Sequence, residues 1–113
     1  DDPRALDMLA AAELYLGDHA AAAEAAARAV DLDPDYCPAR YNLACALARL
    51  GRPAEALDAL AAAIAIDAAL RDLARGDPDL ASLPAEPRFR ELIAPASPRS
   101  PADPVPRGGT TGS

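Results

Sequence analysis

The stretches GDHAAAAEAAARAVDLDP (residues 17–34) and GRPAEALDALAAAIAIDA (residues 51–68) decide how this chain folds. Alanine favours helix but has little to bury, so each stretch calls for a close neighbour. Both open on glycine and close on an aliphatic residue followed by aspartate. Aligning residues 3–34 with 37–68 gives 12 identical pairs out of 32. Eight of these are Ala on Ala, which a chain with 31 alanines yields often by chance. The informative pairs are Leu9/Leu43, Leu16/Leu50, Gly17/Gly51 and Asp33/Asp67, with Val30/Ile64 and Leu32/Ile66 as like-for-like exchanges. The chain therefore contains an internal repeat of 34 residues.

Each unit reads as helix, turn, helix. The first helices are expected over about 3–16 and 38–50, stopped by Gly17 and Gly51, where a left-handed residue costs glycine least. Asp18 suits an N-cap and Pro53 a first helical turn, so the second helices run to about Leu32 and Ile66. Asp33-Pro34 then breaks the chain. After Asp67 a third helix should stop at Gly76. DPDLASL follows as a short turn, and PRFRELI as a last helix with Phe89, Leu92 and Ile93 on one face. The expected fold is an all-α solenoid of two helix-turn-helix units plus short capping helices, residues 1–94. Prolines 95, 98, 101 and 104 recur every third residue in the tail, residues 95–113. That spacing would suit a polyproline II ligand, but the composition favours a solvated, disordered tail, which is the expectation for 95–113.

Composition narrows the function. The net charge is −7, with 9 arginines against 17 carboxylates through Ala94, and no lysine. An acidic body argues against direct nucleic-acid binding. No apolar run reaches the ~20 residues of a membrane span, and no signal peptide is visible. The chain starts without methionine and is expected to be cut from a longer protein or processed. Cys37 and Cys45 fall on one helix about 12 Å apart, too far for a disulfide, which favours a reducing, cytoplasmic setting.

The 34-residue unit resembles the tetratricopeptide repeat, through YNLACALARLG (41–51), the small residues Ala22/Ala56 and Ala29/Ala63, and VDLDP (30–34). It departs from that pattern at Arg40, at Glu13 and Leu47 where an aromatic is usual, and at Ala68 in place of the closing proline. The terminal DPDLASLPAEPRFRELI resembles the closing segment of bacterial arrays of this kind, which are often fused to signalling or envelope domains. The resemblance implies a protein-interaction module without enzyme activity or cofactor. It places a concave groove along the first helices, lined by Arg4, Asp7, Met8, Ala11 and Tyr15 in unit one. Tyr41, Asn42, Cys45 and Arg49 continue the groove in unit two. A partner peptide or helix is the expected occupant. Two other readings stand beside it: an in-cis regulatory or structural end of a multidomain protein, and self-association through the Leu6/Leu9 face. The carboxylate-clamp variety is excluded, because Asp7, Ala11, Asp72 and Gly76 stand where its cations and amides belong. His19 reads as a packing residue, with a nucleophile–base pairing to Cys45 as the sharper alternative. The carboxylates are scattered and supply no metal-ligand cluster in this reading.

Overall fold

The computed structural model describes residues 2–83 and 86–94, and every regular element among them is helical. The expected tail, residues 95–113, lies outside the described residues. Helix α1 spans Pro3–Leu16 and α2 His19–Leu32; α3 spans Cys37–Arg49 and α4 Pro53–Ile66. The start of each helix has a local cause. Asp2 accepts the Arg4 backbone N–H at 3.0 Å, and Asp18 accepts that of Ala21 at 3.2 Å. Prolines 3, 38 and 53 occupy first turns, where a missing N–H costs nothing.

The stops repeat as faithfully. Gly17 and Gly51 sit at φ 87° and 75°. The next residues, Asp18 and Arg52, donate back to the carbonyls of Glu13 and Leu47 at 2.9 and 3.0 Å. Asp33 and Asp67 close α2 and α4 in extended geometry, and their carboxylates accept the N–H two residues on. The turn at Asp67 delays the third helix, expected directly after that residue, so α5 spans Leu70–Arg75. A 3₁₀ turn at Leu80–Ser82 and α6, Pro87–Ile93, complete the described chain.

Within each unit the two helices form a hairpin, and α3 packs against both α1 and α2. Leu43 of α3 rests on Ala10, Ala25 and Ala26, the small core of unit one. The core of unit two is larger. Leu57, Leu60 and Leu80 are all but fully buried there, with Leu70, Phe89, Leu92 and Ile93 packed around them. The cap is also tied by polar contacts: Arg71 and Arg75 donate to the carbonyls of Leu92 and Ile93, and Arg88 pairs with Asp58 at 2.7 Å. Its apolar side thus meets unit two, while α1 at the other end carries exposed Met8, Leu9, Tyr15 and Leu16.

Candidate interaction surface

Nine side chains were expected to line one groove, and the structure divides them into three groups. Arg4, Met8, Ala11 and Tyr15 of α1 are exposed, Tyr15 at 92%. Arg4 lies over the Tyr36 ring at 5.9 Å, a cation–π contact at the edge of that row. Asp7 faces inward instead. Its Oδ1 accepts from Asn42 Nδ2 at 2.6 Å, joining α1 to α3. Burial pushes the Asp7 carboxyl above the usual carboxylate range, and the Asn42 hydrogen bond opposes part of that rise.

Tyr41 and Cys45 depart from the expected exposure. They are 6% and 1% exposed, because residues 77–83 fold over that face of α3. The Tyr41 hydroxyl donates to Asp77 Oδ2 at 2.6 Å, and the Cys45 thiol donates to the same oxygen at 3.7 Å. Arg49 reaches Asp79 Oδ1 at 2.8 Å, and the Asp79 N–H closes a turn onto Asp77. Burial first, and the two aspartates second, raise both the Tyr41 and Cys45 protonation ranges, so each stays neutral.

A protonated, buried thiol is the opposite of an activated nucleophile. The hydrogen-bond partner of Cys45 is Asp77, and no hydrogen bond joins it to His19 among the described residues. The donor atoms of Cys45, Asp77 and Asp79 do come within 4.8 Å of one another, a cluster the sequence reading did not anticipate. Tyr41 and Arg49 already hold its carboxylates, making it a hydrogen-bonded clasp.

The internal repeat explains this placement. Asp7 and Tyr41 share one repeat position, and each makes the lateral bond to the next element, Asn42 and Asp77 respectively. The roles are reversed: α1 offers the carboxylate, whereas α3 offers the donor. Carrying the register one unit further would have placed Gly76 and Asp77 beside α3, which is the signal that could have revealed the cap. A second depression, about 480 Å³, lies between α2 and α4 over Leu43 and Leu47, with Glu24 and Glu55 among its walls. Ala20, Ala23 and Ala27, small enough to be read as crossing points, line it instead of filling it.

Paired hairpins stacked side by side, joined by lateral contacts between first helices and closed at one end, define a helical-repeat protein of the interaction class. Two tetratricopeptide repeat models match the chain, one over residues 3–36 and one over 25–58. The first covers α1 and α2; the second runs from mid-α2 through α3 into α4, across the junction between units. The chain is a tetratricopeptide repeat protein. No curated protein and no solved structure matches it. Repeats of this family generally mediate protein–protein interaction. No helix among the described residues is long and apolar enough to cross a membrane.

Proposed function

We propose that this protein is an interaction module that receives a partner's peptide or helix on the α1 side of its concave face. Arg4, Met8, Ala11 and Tyr15 form the contact row, with Asn42 and Arg49 at its far edge. The observation that carries the reading is the exposure of Met8 and Tyr15, 72% and 92%, on a well-capped helix. Such side chains present a large contact area from a rigid base, and tyrosine is among the residues that most often anchor interfaces. Tyr41 and Cys45 take no direct part, because the cap covers them. Asp7 contributes by holding α1 against α3. A protein partner fits the net charge of −7 better than nucleic acid does. No enzymatic step is assigned to these residues.

The in-cis reading draws on the clasp. Asp77 and Asp79 bond Tyr41 and Arg49, and Leu80 is buried beside them, so a segment of the same chain lies where part of the groove was expected, which supports that reading. An acidic turn leading into a 3₁₀ helix with a buried leucine is therefore the kind of segment that suits the α3 side.

The test uses a photo-crosslinking side chain at Tyr15, with capture from source lysate, alongside a Met8→Ala/Tyr15→Ala variant. A crosslinked protein whose capture falls at least about tenfold in a still-helical double variant supports a trans partner, since such a loss is the scale of a lost anchor. Equal capture by both proteins overturns the α1 row as the contact site.

A further inference from the structure

The depression between α2 and α4 has a filled counterpart in the same molecule. Helix α6 holds the place in the next unit that α4 holds in unit two: Pro87 stands 34 residues after Pro53, and each proline opens its helix. Arg88 and Phe89 follow Pro87, whereas Ala54 and Glu55 follow Pro53. Arg88 reaches Asp58 of α4 at 2.7 Å, and Phe89 packs against the core of unit two. One ion pair and one ring thus bring α6 onto its neighbours.

Between α2 and α4 the receiving half of this arrangement is kept and the donating half is missing. Asp58 stands 34 residues after Glu24, so α2 carries the same carboxylate. The residue that answers to Arg88 is Ala54, which has no charge to offer. Glu24 is exposed on the wall of the depression, with no hydrogen bond or ion pair among the described residues. The cations nearby are engaged: Arg52 pairs with Glu55 at 2.7 Å, and Arg40 donates to the Pro34 carbonyl at 2.9 Å. With Glu55 in the place of Phe89, no ring lines the depression above its floor of Leu43, Leu47 and Leu50.

The space suits a helical segment. The depression of about 480 Å³ continues into a second of about 310 Å³, which shares Leu43, Leu47 and Glu55 and reaches Arg40 and Asp58. From Arg40 to Leu50 this floor runs about 15 Å, nearly three helical turns. Ala20, Ala23 and Ala27 keep the α2 wall low, so a ring can reach the leucines.

We infer that this groove binds a helical segment of another protein that carries an arginine beside an aromatic residue, the pair that α6 supplies in the next unit. The arginine meets Glu24, and the ring rests on the leucine floor. The chain's own tail, residues 95–113, holds Arg99 and Arg107 but no aromatic residue, so it offers only half of the pair. Phe89 is the only phenylalanine of the chain and is already committed to unit two. The groove shares no residue with the proposed α1 row, and the inference does not rest on that reading.

Fluorescence anisotropy tests it, with a labelled, alanine-based helical peptide bearing one Arg-Phe pair, titrated with the full chain to about 1 mM. Binding should saturate, and should fall at least about tenfold when the peptide's Arg is replaced by Glu or its Phe by Ala. Glu24→Arg should lose the Arg-Phe peptide and bind the Glu-Phe peptide instead, a rescue that a misfolded variant could not give. Met8→Ala/Tyr15→Ala should bind like the wild type, which separates this groove from the α1 row. No saturation, equal affinity for the three peptides, failure of the reversed pair or loss of binding in the Met8/Tyr15 variant each overturns the inference. So does binding that emerges only in an Arg99→Glu/Arg107→Glu chain, which would assign the groove to the chain's own tail. A wild-type mass above 11.6 kDa that Glu24→Arg returns to 11.6 kDa would assign it to a second copy, and overturns the inference equally.

Discussion

Ala26 and Leu60 occupy the same position of the repeat and both are fully buried, yet they differ by three carbons. The contrast runs through the two units. Around Ala26 the buried core is Ala10 and Ala25, with Leu43 laid over it. Around Leu60 it is Leu57, Ile64, Leu47 and Tyr41, closed by Leu80 and Leu83 of the cap. One backbone plan is therefore held together in two ways. Unit one relies on helix propensity, caps and close backbone approach; unit two relies on apolar area removed from water. A short array in which most burial lies at one end should be weakest at the other.

The largest expected effect tests that contrast directly. Leu60→Ala gives unit two the residue that unit one already has, and should cost about 3–5 kcal/mol by the cavity rule for a fully buried leucine. Ala26→Gly, the smallest deletion possible at the equivalent site, should cost only about 1 kcal/mol, mostly through backbone freedom. Urea unfolding of both variants settles the order. Similar losses at the two sites would break the claim that the units are stabilised differently.

Next in size is the clasp that binds the cap to α3. Tyr41→Phe removes a hydroxyl that donates to Asp77 at 2.6 Å, and a hydrogen bond to a charged group is worth about 1.5–3 kcal/mol. The variant should therefore lose about 2 kcal/mol at neutral pH. A pH signature accompanies it. The folded Tyr41 holds its proton well above the ordinary tyrosine range, through burial and the Asp77 hydrogen bond. The unfolded chain releases that proton near pH ~10, so this part of the stability is complete below ~10 and declines as pH rises further. Thermal melts between pH 7 and 11 should show a steeper alkaline decline in the wild type than in Tyr41→Phe. Parallel declines would mean that other groups set it, Cys45 first among them.

These two tests also mark how far the sequence could be read. The local punctuation was legible: Gly17 and Gly51, Asp18, Pro53 and Asp33-Pro34 fix helix ends within a few residues and need no distant partner. So was the repeat, because Leu9/Leu43 and the glycines keep one phase. The burial of Tyr41 and Cys45 was not, because it depends on contacts 36 and 32 residues away. The segment that makes those contacts, DPDLASL, has no helical or strand period to announce which face it covers. Alanine by itself is ambiguous. Ala22 and Ala29 are buried at crossings, whereas Ala20, Ala23 and Ala27 line an open depression, and periodicity alone does not separate the two sets cleanly.

Smaller and equal effects are expected where the units are the same. Gly17→Ala and Gly51→Ala each put a Cβ on a left-handed residue with open space around it, so only the backbone term operates. Each should cost about 1–2 kcal/mol, and the two values should agree closely. A markedly larger loss at Gly51 would show that unit two transmits strain that unit one absorbs.

The smallest effect falls where the two units use opposite chemistry at the same position. Tyr41 is a neutral donor to the carboxylate of the next element, whereas Asp7 is itself the buried carboxylate, accepting from Asn42 at 2.6 Å. Burial raises the Asp7 carboxyl above its unfolded range despite that hydrogen bond. An acid raised on folding contributes most when protonated, below its unfolded range near pH ~4, and that contribution is lost as pH climbs through the folded value. At neutral pH the ionised side chain is therefore a net burden on the α1–α3 junction. Asn at this position carries no charge and its Oδ1 can still accept from Asn42. Asp7→Asn should thus be more stable than the wild type at pH 7, and the gain should vanish as pH falls below about 4. A loss of stability at pH 7 would mean that the charge strengthens the Asn42 bond by more than burial costs it. The junction between the units would then be held by that charge, and unit one would owe less to its alanines than the comparison with Leu60 suggests.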